Sequence, residues 1–235
     1  MKSKKLEYDL CHPVFEPIGY MKNVIPEWFK KIEKFSGGKL SIFPSTITVK
    51  SCAPFMDTFL TGYYMPLPVD LLVEQTINGP RITWNFFDLE YKETDFVIER
   101  DTGMVPTLPI PKGFHNNHFS WSTKQVLKVE NGYSLLITHP LNRDDLPFRT
   151  LSGVVDTDNY HLPVQFPFHY ISDSEGTSII KKGTPLCQII PFKRDNWEME
   201  TLEYDQEKND KRRFEHSRQI IRSYKNQYWE RKKFI

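Results

Sequence analysis

The chain is poor in cysteine: Cys11, Cys52 and Cys187 are the only three in 235 residues, widely spaced and without a Cys-x-x-Cys pair. That excludes a disulfide framework and a zinc knuckle, and leaves reduced thiols as the expectation. Net charge is also nearly absent. Lys plus Arg number 31 against 30 for Asp plus Glu, so no global field recruits nucleic acid or an anionic membrane surface. No window approaches the run of about 18 apolar residues that a membrane span requires. The lysines of the opening MKSKKLEYDL are not followed by an apolar stretch, so no secretory leader is expected and the protein is placed in the cytoplasm. What is plentiful is punctuation and rings: seventeen prolines and 14% aromatic residues within a 39% hydrophobic chain. A chain long enough to bury a core but cut into short segments suits an all-β or β-rich α+β domain better than a helix bundle.

Along the chain, Pro26 to Phe35 (PEWFKKIEKF) has proline in the first turn and Trp28, Phe29, Ile32 and Phe35 at helical spacing, with Gly37-Gly38 as its stop. Short β-rich runs follow at Ile47–Lys50, Val69–Ile77, Arg81–Phe86 and Thr94–Ile98, with Asn78-Gly79-Pro80 as a turn. The proline-rich stretch Val105–Gly113 cannot pair as a central strand and is expected to cross between parts of the sheet system. From Phe119 to Pro191 short apolar runs alternate with turn signals, which argues for a sandwich or barrel. Glu207 to Phe234 has neither glycine nor proline, and Phe214, Ser217, Ile221, Tyr224 and Tyr228 fall on one stripe, so an amphipathic C-terminal helix is expected. The organisation expected is residues 1–39 with a short helix, a β-rich core over 40–203 and a helix over 204–235.

Chemistry concentrates between Leu151 and Phe192. Gly153-Val154-Val155-Asp156 ends a strand on a carboxylate, Asp158 and Tyr160 follow, and Ile180, Gly183, Gln188, Ile189 and Ile190 form a second spaced set. In this order and spacing the segment resembles the second half of the dUTPase and dCTP deaminase superfamily. The block HPLNRDDLPFRTLSGVVDTDNYHLPV is also similar to proteins of tailed phages. The resemblance implies an all-β, β-clip fold, commonly a homotrimer with nucleotide sites between subunits, in the host cytoplasm if phage-encoded. It implies a hydrolase in which Asp156 is the general base, Tyr160 a platform for the deoxyribose and Gln188 an amide donor to phosphate. Mg²⁺ would mask the charge of the triphosphate.

The chain also departs from that pattern. THPLNRDDLPFR stands where the triphosphatases carry an Arg-Ser-Gly signature, and no glycine follows Gly183 to build a mobile amide cradle over phosphate. Gln165 and Phe166 stand where the deaminases place a glutamate; an amide cannot shuttle a proton, so deamination is disfavoured.

Each candidate has a plainer alternative. Asp156, before Thr157-Asp158-Asn159, also reads as a turn carboxylate capping its own backbone. Asn142, Arg143, Asp144, Asp145 and Arg149 read either as a solvated loop or as a place where a guanidinium of Arg143 or Arg149 forks onto a phosphate. Cys187 lies in an apolar strand and reads as a small buried hydrophobe. Three function classes follow: a nucleotide-binding pyrophosphatase-like protein, a non-catalytic β-clip module acting as a structural or host-interaction protein, and a metal-dependent β-barrel enzyme using His115, His118 and His139.

Overall fold

The computed structural model describes residues 4–10, 13–36, 47–84, 96–100, 103, 107–171, 176–217, 223–230 and 232. The chain divides into two compact units, Met1–Asn23 with Gly62–Arg194 and Val24–Thr61 with Asp195–Ile235.

The first unit is all-β, as the composition and turn spacing predict. Its early strands are β1 (Leu6–Tyr8), β2 (Gly19–Tyr20), β3 (Tyr63–Pro66), β4 (Leu71–Thr76), β5 (Gly79–Trp84) and β6 (Val97–Arg100). The dense region supplies β7 (Phe114–Ser122), β8 (Leu127–Val129), β9 (Tyr133–Thr138), β10 (Phe148–Thr150) and β11 (Gly153–Val155). It ends with β12 (Gln165–Ile171), β13 (Thr177–Ile180) and β14 (Pro185–Lys193). They form a five-stranded sheet ordered β11-β9-β14-β3-β2, a four-stranded sheet β10-β12-β7-β6, a three-stranded sheet β13-β4-β5 and the pair β1-β8. The ladders are antiparallel.

Alternation explains which face each strand buries: Leu71 and Val73 are buried while Leu72 between them is exposed. One core collects Leu135, Ile137 and Ile189 from the five-stranded sheet, Phe119, Phe148, Phe166 and Tyr170 from the four-stranded sheet, and Leu71 and Ile180 from the three-stranded sheet. At its centre the Trp121 and Phe168 rings stack 3.7 Å apart, with Phe148 edge-on to Trp121 at 5.1 Å. The buried indole N–H donates to Thr150 Oγ1 at 3.3 Å, and that hydroxyl donates to the Leu186 carbonyl at 2.6 Å. Gly62 enters β3 with φ +72°, and a Cβ there would lie 2.3 Å from the Ile189 carbonyl oxygen, so only glycine fits.

The second unit holds α1 (Glu27–Lys31), α2 (Ala53–Thr58), α3 (Gln206–Ser217) and α4 (Ser223–Gln227). Trp28, Phe29, Phe55 and Phe59 pack into one aromatic cluster. Asp57 Oδ2 accepts from Trp229 Nε1 at 2.9 Å and Lys232 Nζ at 2.7 Å.

Several local expectations need correction here. The helix expected over 26–35 stops at Lys31, because Ile32 turns extended with ψ 131°; the expected stop at 37–38 lies outside the described residues. The strand expected at 47–50 is a single bridge from Ile47 to Phe35, then a 3₁₀ turn over Val49–Ser51 in which Thr48 Oγ1 accepts the Lys50 N–H. The turn after β4 falls at Ile77-Asn78, so Gly79 and Pro80 already belong to β5. The expected C-terminal stripe shows exposed Phe214, Tyr224 and Tyr228, while 218–222 lie outside the described residues. Among the described residues no helix is long and apolar enough to cross a membrane.

Candidate functional site

The ladder between β9 and β11 pairs Leu135 with Val155, which brings the next residues, Ser134 and Asp156, together at its end. Ser134 Oγ donates to Asp156 Oδ1 at 2.6 Å. Neighbouring β14 runs to Lys193 and delivers Arg194 to the same place. Arg194 Nη1 lies 3.3 Å from Asp156 Oδ1 and donates to Asp158 Oδ1 at 3.0 Å, while its Nη2 bonds Asp158 Oδ2. At the turn before β9, Gly132 takes φ +82° and its N–H donates to Asp158 Oδ2 at 2.9 Å. The 156–160 turn closes on itself, with the Asn159 and Tyr160 amides donating to the Asp156 carbonyl.

Two carboxylates separated by one residue are thereby treated differently. The side chain of Asp158 is 1% exposed, and the Arg194 fork with the Gly132 amide holds its carboxyl down at about 2. The side chain of Asp156 is 62% exposed. Among the described residues its contacts fall on Oδ1, and Oδ2 of this exposed side chain makes none. Tyr160 is exposed on the same turn.

The other candidates lie on or around the neighbouring loop before β10, and most of them hold it in place. Gln188 is fully buried in the middle of β14, and its Oε1 accepts the Leu141 N–H at 2.9 Å. Arg143 is buried and forks onto Asp145 at 2.8 and 3.0 Å. Asn142 is exposed at φ +58°, a left-handed position that asparagine tolerates. His139 receives the Thr150 N–H at Nδ1 and donates from Nε2 to the Arg143 carbonyl, which fixes one neutral tautomer, and burial holds it below the ordinary imidazole range. Arg149 is exposed on β10, opposite His169.

The histidines do not converge. His115 Nε2 is bonded to Gln75 Oε1 at 2.8 Å, His118 packs on His169 at 4.9 Å between ring centroids, and His139 is held as described. Among the described residues no group of three or more His, Cys, Asp or Glu side chains forms a metal site. Cys187 is buried, and burial pushes its thiol up to about 12. The partners that complete the Asp156 site, Ser134 and Arg194, carry no motif. Their one sequence signal is position, as the polar residues at the ends of the apolar runs SLLIT and PLCQIIPFK.

No protein-family model and no curated protein matches the chain. Among solved structures it is similar to dUTPases of staphylococcal phages. A mutant dUTPase from phage phi11 of S. aureus, described for its structural Mg(II) ion, is 12% identical with a TM-score of 0.38 over 86% of this chain and 99% of that one. A second phi11 dUTPase structure is 12% identical with a TM-score of 0.37, covering 86% and 98%. A mutant dUTPase of Staphylococcus bacteriophage 80alpha, in complex with dUpNHpp, is 12% identical with a TM-score of 0.37, covering 86% and 90%.

Proposed function

We propose that the chain is a divergent dUTPase-like protein that binds a deoxynucleoside triphosphate and hydrolyses it at Asp156. The observation that carries this reading is the division of labour between the two carboxylates: Asp158 is buried under the Arg194 fork, whereas Asp156 keeps Oδ2 open while Oδ1 is oriented by Ser134. A general base needs that combination of fixed aim and a free lone pair. On this reading Asp156 Oδ2 takes a proton from a water molecule as the water oxygen attacks phosphorus and pyrophosphate departs with the bonding electrons. Asp158 and Gly132 position Arg194, which together with Ser134 holds the base, and exposed Tyr160 offers a ring face to the sugar. The homotrimer belongs to the same proposal.

The residues do not supply a Mg²⁺ site of their own. Both carboxylates face the Arg194 guanidinium, and no third acidic ligand joins them among the described residues. Any Mg²⁺ would arrive as the counter-ion of the triphosphate, and no step is assigned to it.

The test is pyrophosphate release from each deoxynucleoside triphosphate with Mg²⁺, read beside the melting temperature. Asp156→Asn is expected to lower turnover by about a hundredfold or more while keeping both the fold and the melting shift that nucleotide produces. A wild-type chain that gives neither shift nor release with any nucleotide overturns the proposal.

One observation favours the second reading, an interaction protein. In the second unit the segment before α3 exposes Trp197 (91%), Met199 (98%), Leu202 (76%) and Tyr204 (69%) with no regular structure of its own. Large apolar side chains left this open are a feature of docking segments. A chain that responds to no nucleotide, and whose self-association is lost in Trp197→Ser, would move the conclusion to that reading.

A further inference from the structure

The four-stranded sheet carries a row that the nucleotide reading does not use. Register places Arg149 of β10 opposite His169 of β12, His169 opposite His118 of β7, and His118 opposite Arg100 of β6. Directly paired residues of antiparallel strands project to the same face, so these four side chains share one face of the sheet. The stacked Phe168 and Trp121 lie on the other, since Phe168 neighbours His169 along β12.

Among the described residues no carboxylate pairs with the row. His169 is fully buried, and among the described residues neither its Nδ1 nor its Nε2 has a hydrogen-bond partner. His118 is buried against it. The Arg100 guanidinium is engaged by neutral groups, Ser120 Oγ at 2.9 Å and Gln165 Oε1. Arg149 is exposed and has no carboxylate partner among the described residues. The nearest acid along β6, Glu99, pairs with Phe119 and therefore points to the opposite face. A buried polar side chain with both nitrogens unpartnered needs an explanation, and an unseen ion is one of the few available. Two flanking guanidiniums disfavour a metal cation there and favour a negative charge.

We propose that the row Arg149–His169–His118–Arg100 is a seat for a phosphate-type oxyanion, distinct from the Asp156 site and independent of the reading given to it. Tetrahedral oxyanions present several acceptor oxygens, which suit a planar guanidinium fork beside an imidazole N–H. Entry is from the β10 side: β10 is an edge strand of three residues, and Arg149 is the exposed member of the row. Burial first, then the charges of His118 and Arg149, hold His169 below the ordinary imidazole range, and an oxyanion reverses the two electrostatic causes.

The test uses the whole chain labelled with ¹⁵N-histidine, titrated across mildly acid to neutral pH at constant ionic strength in chloride and in inorganic phosphate. Phosphate is expected to move the His169 and His118 signals saturably and to raise the His169 midpoint. Arg149→Met should weaken that binding at least tenfold without unfolding an exposed position, and Arg149→Lys should restore part of it. A parallel arm with a deoxynucleoside triphosphate distinguishes a free ion from a nucleotide's phosphate tail, since only the tail gives tighter saturation than inorganic phosphate. Coincident chloride and phosphate titrations, or a phosphate response that survives Arg149→Met, would overturn the proposal. Activity enters no arm, so its outcome is separate from that of the Asp156 test.

Discussion

Two polar regions of the β unit solve the same problem in opposite ways. At the end of β9, β11 and β14, two carboxylates meet one guanidinium, a hydroxyl and a backbone amide, and the one oxygen left open belongs to an exposed side chain. Across β10, β12, β7 and β6, two imidazoles lie between two guanidiniums, and the side chain left unpartnered, His169, is the most deeply buried of the four. An unpaired group costs little in water and much in the interior. The first region is therefore complete as it stands and keeps a reactive atom for a substrate. The second leaves a buried imidazole without a hydrogen-bond partner, and that is the group the proposed oxyanion would satisfy.

The largest test of the comparison asks whether both regions belong to one cooperative unit. Trp121 stacks on Phe168 beneath the histidine row, and its indole N–H is linked through Thr150 to the Leu186 carbonyl beside β14's Cys187. Trp121→Ala is expected to cost about 3–5 kcal/mol from the lost ring and its cavity, in a single denaturant transition seen alike by fluorescence and circular dichroism. A biphasic curve, or a cost below about 1 kcal/mol, would show that the sheet bearing the row and the sheet bearing Asp156 do not share that core.

A smaller effect separates holding from binding on the first sheet. The resemblance implies a phosphate-donating role for Gln188, whereas in the fold its buried carbonyl accepts the Leu141 N–H. Gln188→Leu keeps the volume and strands that amide, so stability should fall by about 1–3 kcal/mol whether or not nucleotide is present. If stability is unchanged and only nucleotide affinity falls, Gln188 contacts ligand rather than the loop.

How much of this was legible in the sequence follows from what each segment reports. The runs from Phe119 to Pro191 alternate with turn residues closely enough that each holds strand, because period-two burial is written residue by residue, but FSWSTKQVLKV divides into β7 and β8, FRTLSGVVD divides into β10 and β11, and β7 already begins at Phe114. ITVK at 47–50 has the same composition but is turned into a 3₁₀ segment by Thr48, whose hydroxyl is a local competitor for backbone donors. Asp156 was visible as a carboxylate ending an apolar strand; Ser134 and Arg194 were not, since their meeting depends on register between strands far apart in sequence. His169 was hidden for a different reason. In QFPFHYI it reads as one polar residue in an aromatic run, and only the ladder shows it aligned with His118, Arg149 and Arg100.

The smallest effect is also the one that resolves the two regions from each other: their acid limbs fall in different pH ranges. His169 sits below the ordinary imidazole value, with Arg149 facing it from β10, His118 from β7 and Arg100 beyond on β6. The unfolded chain therefore binds the proton first, so stability drops as pH falls through about 6.5 and keeps dropping until the folded group is protonated. Asp158 acts in the same direction but in a lower range, with a folded carboxyl at about 2 against the ordinary 3.8; its contribution is whole above the higher value and is lost as pH falls toward the lower. Since burial also holds His115 and His139 low, the row's share is the difference between wild type and His169→Phe. That variant should flatten part of the upper limb and leave the lower one, while Asp158→Asn should do the reverse. Phosphate should shrink the upper limb in wild type and have no such effect in His169→Phe, because an anion seated on the row compensates the proton that His169 otherwise takes up at a cost.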